Sequence, residues 1–219
     1  MPSGVYTAIF DLDGVLTSTS ARHEQSWADA ARVFNIPVTD AALRGTRSIP
    51  RASSLAALLA HAGVPLTQTD RDAVMAFKNQ RYKELIAGLQ PADAFRGARE
   101  ALERCRALGA RTAVASASLN AREVLDRLGL LRLVDFVADP SRAESKPSAE
   151  IYGMACAALG ALPRHAVCIE DGAPMIANLR AAGLYTVGIG EDPLGADEQF
   201  KTVAEWNVEA TFARLNDHA

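Results

Sequence analysis

The sequence predicts an α/β fold, a parallel sheet with helices on both faces that carries a helical insertion. Three observations lead there. Short, partly β-branched apolar runs recur along the chain, helical patterns ending in glycine separate most of them, and the stretch from about residue 18 to residue 91 is helical with no strand pattern.

The first run, Val5-Tyr6-Thr7-Ala8-Ile9-Phe10, reads as a strand buried on both faces. The insertion follows. Trp27, Ala30, Ala31 and Phe34 form one apolar stripe; Leu55, Leu58 and Leu59 begin a second; Val74, Phe77, Leu85 and Leu89 mark a third. The alternation then resumes. Ala98, Ala101, Leu102, Cys105 and Leu108 recur at helical spacing and stop at Gly109, before the strand Thr112–Ala115. Val124, Leu125 and Leu128 precede Gly129, and a strand is expected over Leu133–Val137. Ile151, Ala155, Ala158 and Leu159 precede Gly160, and a strand over Ala166–Ile169 follows. Pro174 sits in the first turn of another helix that closes at Gly183, before the last expected strand, Tyr185–Ile189. The expected division is a core of residues 1–17 and 92–219 with an insertion of residues 18–91.

A chain of 219 residues, 49% of them hydrophobic, fits a core domain with a smaller insertion. Its formal charge of −3 does not suit a polyanion or membrane-surface binder, so neither nucleic acid nor membrane is an expected partner. Met1-Pro2-Ser3-Gly4-Val5-Tyr6 shows no basic segment and no long apolar run, so no signal peptide or span is expected. Cys105, Cys156 and Cys168 are far apart and odd in number, as expected of buried reduced thiols in a cytoplasmic protein. A monomer is expected.

Chemistry concentrates at the ends of the expected strands. Asp11-Leu12-Asp13-Gly14 closes the first. Residues two apart on a strand point the same way, so both carboxylates aim into the crevice where open parallel sheets bind ligands. Two acids this close need a hard cation such as magnesium, or one keeps its proton and serves as a general acid. An Asp-Gly turn is the simpler alternative for this tetrapeptide alone. Ser116 lies past the next core strand, Lys146 within Ser145-Lys146-Pro147, and Glu170-Asp171 after Ala166–Ile169. A parallel sheet brings all four segments to one rim.

Phe10-Asp11-Leu12-Asp13-Gly14-Val15, Ser116, Lys146 and Glu170-Asp171 together resemble the four motifs of the haloacid dehalogenase-like superfamily, across nearly the whole chain. The resemblance implies a Rossmann-like core with a helical cap inserted after the first strand. It implies Asp11 as a nucleophile forming an aspartyl-phosphate, and Asp13 as general acid and base with its backbone carbonyl on Mg²⁺. Ser116 and Lys146 would hold the transferring phosphoryl group, and Glu170 and Asp171 would complete the metal site. Asp13 argues against dehalogenation, since family dehalogenases displace halide without a second acid or magnesium.

Finer features resemble the β-phosphoglucomutase subgroup. Thr17-Ser18-Thr19 leads to His23, then Trp27; the matching histidine there belongs to the hinge and couples cap closure to the general acid. Ala115-Ser116-Ala117-Ser118-Leu119-Asn120 and Lys78-Asn79 with Tyr82 follow the subgroup pattern. The substrate contacts so implied are Thr19, His23, Trp27, Arg44, Arg51, Ala117, Ser118 and Asn120. A mutase handles two phosphates, and the distal one calls for fixed guanidinium groups. Leu43-Arg44-Gly45-Thr46-Arg47-Ser48-Ile49-Pro50-Arg51 offers three arginines, with Arg47 and Arg51 both open as the distal ligand. Gly172-Ala173-Pro174-Met175 replaces the subgroup's serine and glycine-containing helix start, and Ala149 replaces a common proline. The resemblance thus implies a small phosphorylated substrate and a mutase interconverting β-glucose 1-phosphate and glucose 6-phosphate through the 1,6-bisphosphate. A magnesium-dependent phosphatase of small phosphometabolites is the alternative, and a non-catalytic sugar-phosphate binding module a third reading.

Overall fold

A computed structural model of the chain describes residues 5–47, 49–144 and 146–217; Ser48 and Ser145 of the motifs above lie outside them. It has the expected α/β architecture. Strand β1 spans Thr7–Phe10 and is buried at every position. Helices α1 (Ser20–Val33), α2 (Asp40–Arg44), α3 (Arg51–Ala62) and α4 (Gln68–Ile86) follow as the cap insertion. The chain then alternates α5 (Ala98–Ala107), β2 (Arg111–Val114), α6 (Ala121–Arg127), β3 (Phe136–Val137), α7 (Glu150–Leu159) and β4 (Ala166–Glu170). It finishes with α8 (Ala173–Ala181), β5 (Tyr185–Ile189), β6 (Glu198–Phe200) and α9 (Val208–Asp217). Backbone contacts divide it into two compact units, Met1–Ser18 with Gln90–Ala219, and Thr19–Leu89.

In the first unit all six strands are parallel in the order β3-β2-β1-β4-β5-β6, with β1 between the two strands whose ends carry motif residues. Phe10 pairs with Val114 on one side and Ile169 on the other, so β1 and β2 end level and β4 runs one residue further, to Glu170. One face of the sheet packs Ile9, Ala113 and Cys168 against Ile151, Tyr152 and Ala155 of α7 and Met175 and Leu179 of α8. On the other face Phe10 meets Trp206 edge-on, ring centroids 5.9 Å apart. The three cysteines are buried and unpaired, and burial raises the thiols of Cys156, to about 11, and Cys168, well above its usual value.

Several elements depart from the expectation for identifiable reasons. The strand expected over Leu133–Val137 shrinks to Phe136–Val137, with Leu131–Leu133 in a 3-10 turn. The Asp135 carboxylate accepts from the Thr112 N–H at 2.9 Å, a side-chain bond that anchors the strand start instead of extending it. Strand β6 has no apolar run. It is pinned at the sheet edge by side chains, the Tyr185 hydroxyl donating to Glu198 at 3.0 Å and the Gln199 amide to two loop carbonyls. The buried face of α7 is Ile151, Tyr152, Ala155 and Cys156, with Ala158 exposed.

In the second unit Trp27, Ala30, Ala31, Leu43, Leu55, Leu58, Leu59 and Val74 form a separate apolar core. The face that α4 buries runs Val74, Lys78, Tyr82 and Ile86 at a strict four-residue spacing, while Phe77 and Leu85 are half-buried. A lysine and a tyrosine therefore stand on an otherwise apolar stripe. Among the described residues no helix is long and apolar enough to cross a membrane.

Candidate active site

The adjoining ends of β2, β1 and β4 set the geometry of the core site. The Asp11 N–H still bonds the Ile169 carbonyl at 2.9 Å, and the Ala115 N–H bonds the Phe10 carbonyl at the same distance. Asp11 and Ser116 are thus delivered by adjacent strands, and both are buried, at 7% and 4% exposure. The Ser116 hydroxyl accepts the Ser118 N–H at 3.1 Å, and the Ser118 hydroxyl accepts the Asn120 N–H at 3.3 Å, which shapes the loop into α6. Asn120 is the buried cap residue of that helix; Ala117 and Ser118 are half-buried.

Lys146 joins two of the carboxylates. Its ammonium lies 2.9 Å from Asp11 Oδ1 and 2.7 Å from Glu170 Oε1, with all three side chains less than one-tenth exposed. Burial opposes the Lys146 charge, but Asp11 and Glu170 outweigh it and raise the ammonium above its usual pKa. Asp11 is pulled the other way. Burial first, then Glu170, push its carboxyl well above the ordinary range, against Lys146. Burial and then Glu170 push the Asp171 carboxyl to about 6, although the residue is exposed on one side. The cluster holds more negative charge than one lysine neutralises.

Asp11, Glu170 and Asp171 each present a carboxylate oxygen, and these oxygens lie within 4.8 Å of one another. An all-oxygen set with excess negative charge fits a hard divalent cation such as Mg²⁺. The backbone is shaped for it. Gly14, at φ +94°, lets the chain pass so close to Asp171 that an added Cβ would fall 1.8 Å from Oδ2. Asp13 stands half-buried in the same turn, in a bridge to Thr17, and its charge contributes to raising Asp171; its carboxylate is outside the group of three.

The cap brings together a second set. His23, on α1, stacks on Tyr82 at 3.9 Å between centroids, and its Nδ1 lies 2.8 Å from Lys78 Nζ. Burial, then Lys78 and Arg51, lower His23 to about 2, so the ring is neutral and accepts from the ammonium. Burial and then Arg51 lower Lys78 to about 7. Trp27 is buried beneath that ammonium, 5.2 Å from ring centroid to Nζ, and Tyr82 donates its hydroxyl to buried Thr19 at 2.9 Å.

The three cap arginines diverge. Arg51, the first residue of α3, is half-buried and donates to Asn79 Oδ1 at 2.8 Å. Arg47 is exposed and paired with Glu24, and Arg44 is exposed at the end of α2. Lys78 is a member of this cluster that the reading of substrate residues missed. The sequence signal was Lys78-Asn79 with Tyr82, and only its place on the buried face of α4 shows the lysine meeting His23.

A family model described as haloacid dehalogenase-like hydrolase matches residues 6–183. A β-phosphoglucomutase of Bacillus subtilis is 31% identical over 206 residues, covering 92% of this chain and 91% of that protein. A validoxylamine A 7'-phosphate phosphatase of Streptomyces hygroscopicus is 27% identical, covering 83% of this chain and 84% of that protein. The crystal structure of a β-phosphoglucomutase from Clostridium difficile superposes with a TM-score of 0.89 at 26% identity, over 97% of this chain and 98% of that one.

Proposed function

The chain belongs to the haloacid dehalogenase-like hydrolase family, in its β-phosphoglucomutase-like subgroup, and on that premise we propose that this enzyme isomerises β-glucose 1-phosphate to glucose 6-phosphate through the 1,6-bisphosphate. The observation that carries the mutase over the phosphatase reading is the cationic cluster of the cap. Burial and then Arg51 lower the proton affinity of Lys78, burial alone lowers that of Arg51, and burial and then both cations lower that of His23; Arg51 donates to the Asn79 amide oxygen and Lys78 to the neutral His23 ring. Two desolvated cations facing neutral groups favour an anion, and a bisphosphate intermediate supplies one at its far end. Arg51 suits that role better than Arg47, whose charge is already met by Glu24. Thr19 and Trp27 support the cluster through the Tyr82 hydroxyl and the Lys78 ammonium, and Arg44 is exposed at the end of α2.

In the core, Asp11 attacks phosphorus, the phosphorus–oxygen bond to the donor breaks, and Asp13 gives its proton to the departing oxygen. In the return half Asp13 takes the proton of the accepting hydroxyl as that oxygen attacks the aspartyl-phosphate. Lys146 and Ser116 hold the transferring group, with Ser118 and Asn120 fixing the loop that presents Ser116, alongside Ala117. A bound Mg²⁺, held by Asp11, Asp171 and the Asp13 carbonyl with Glu170 beside them, would offset the negative charge gathered during transfer. Burial and then Glu170 favour protonated Asp11 and Lys146 opposes them only in part, so a bound cation would be needed to complete the ionisation of the nucleophile.

The test is a coupled assay. Purified protein with Mg²⁺ and catalytic bisphosphate should convert β-glucose 1-phosphate to glucose 6-phosphate, read by a dehydrogenase. Release of inorganic phosphate at a comparable rate without isomerisation would establish the phosphatase reading, which relatives such as the validoxylamine phosphatase favour.

A further inference from the structure

Glu170 is 2% exposed, and both of its oxygens are doubly engaged. Oε2 accepts the backbone N–H groups of Asp171 at 3.0 Å and Gly172 at 3.2 Å. Oε1 accepts Lys146 Nζ at 2.7 Å and the Tyr152 hydroxyl at 2.9 Å. A carboxylate offers about four acceptor positions, so this one is saturated. Three of its donors belong to segments that carry motif residues. The fourth, Tyr152, comes from α7 and has no place in the chemistry described so far.

We propose that Tyr152 is a positioning residue for phosphoryl transfer: its hydroxyl fixes Glu170, and through the shared oxygen it holds the Lys146 ammonium beside Asp11. The inference rests on the reading of Asp11 and Lys146 as the phosphoryl-transfer pair. The location of Tyr152 argues for such a task. Its side chain is fully buried in the apolar cluster of Ile9, Ala113, Ala155 and Cys168, where phenylalanine would fill nearly the same space. A hydroxyl in such surroundings costs stability unless it is bonded, and this one is spent on Glu170. Burial raises the phenol well above its usual pKa, so it acts as a donor. The ring contributes a second restraint, with Lys146 Nζ 5.2 Å from its centroid. Lysine carries a compact charge on a flexible stem with three donors. Two of them go to Asp11 and Glu170, and the third is the one an incoming phosphoryl oxygen needs, in a direction set by the other two.

A double-mutant cycle tests this, using the phosphoester that the wild type turns over in the presence of Mg²⁺. Tyr152→Phe should lower kcat about tenfold, the effect of losing one hydrogen bond to a charged acceptor. In a Lys146→Met background the same change should cost less than about twofold, because the group it positions is gone. Melting temperatures of all four proteins show whether they fold. Equal losses in both backgrounds would place the action of Tyr152 elsewhere and overturn the proposal, as would an unchanged kcat in Tyr152→Phe. Should that variant not fold, Tyr152→Met is read by the same cycle; failure of both to fold would make the residue a core element and overturn its positioning role. A wild type that turns over no phosphoester would overturn the underlying reading as well, whereas an active wild type with an additive cycle overturns only the role of Tyr152.

Discussion

Replacing Gly14 by alanine probes how closely the first turn must approach Asp171. The added Cβ would stand 1.8 Å from Oδ2 and 2.3 Å from Cγ, and ordinary contact begins near 3.4 Å, so the carboxylate would have to retreat by about 1.6 Å. The backbone itself resists, because a Cβ at φ +94° costs roughly 1–3 kcal/mol. For a chain of this length each kcal/mol lowers Tm by about 2–4 °C, so a fall of about 2–12 °C is expected. The functional loss should be larger than the stability loss. A reacting group displaced by about 1 Å costs on the order of 10²-fold in rate, so kcat/KM should drop by about that factor. The concentration of Mg²⁺ giving half-maximal rate should rise with it, since Asp171 belongs to the oxygen group suited to the ion. The assay is a Mg²⁺ titration of turnover on folded protein, beside a thermal melt. A variant within threefold of wild type in both rate and half-saturating Mg²⁺ would refute the reasoning.

The cap and the lysine of the core give further expectations. Arg51→Ala should raise the KM for the hexose phosphate by about 10- to 100-fold, whereas Arg47→Ala should stay within about threefold, measured in the coupled assay. Lys78, 3% exposed, has its pKa lowered to about 7 from 10.5, so its charge costs stability fully below pH 7, and the cost is relieved as pH rises toward 10.5. Lys78→Met should therefore stabilise the protein at pH 6, by at most about 5 kcal/mol, and flatten the rise of stability between pH 7 and 10 in denaturant titrations. Lys146→Met leaves Asp11 and Glu170 buried together; stability at pH 7 should fall by roughly 3 kcal/mol, and the loss should shrink as pH is lowered, because the raised Asp11 carboxyl holds a proton in the folded state that the unfolded chain binds only at lower pH. Its turnover should fall by roughly 10²–10³-fold, the scale of removing one fixed donor to the developing charge.

What the sequence made legible followed from strand ends. Thr7–Phe10 is an unbroken buried run that stops at an acid, and Ala166–Ile169 repeats the pattern, so a parallel sheet had to bring Asp11 and Glu170 to one rim. Ser116 and Lys146 could be joined to them by the same logic. The less legible features depend on contacts made far along the chain. β6 has no apolar signature, because its register comes from Gln199 and Glu198 side chains bonding loop and neighbouring-strand groups. Lys78 escaped because a search for apolar periodicity skips a lysine, although its stem can line a buried face. The choice between Arg47 and Arg51 was equally closed to local spacing. It depends on Glu24, 23 residues before Arg47, and on Asn79, 28 residues beyond Arg51. Tyr152 reads locally as one more core residue of α7, and only the fold shows its hydroxyl reaching the end of β4.

Trapping the covalent intermediate tests the account at its centre. Enzyme quenched during turnover and reduced with borohydride should carry the change at a single carboxylate, Asp11, located by peptide mass spectrometry, and Asp11→Asn should show neither the change nor turnover. Reduction at Asp13, or an active enzyme with no trapped carboxylate under conditions where phosphate transfer is under way, would contradict it.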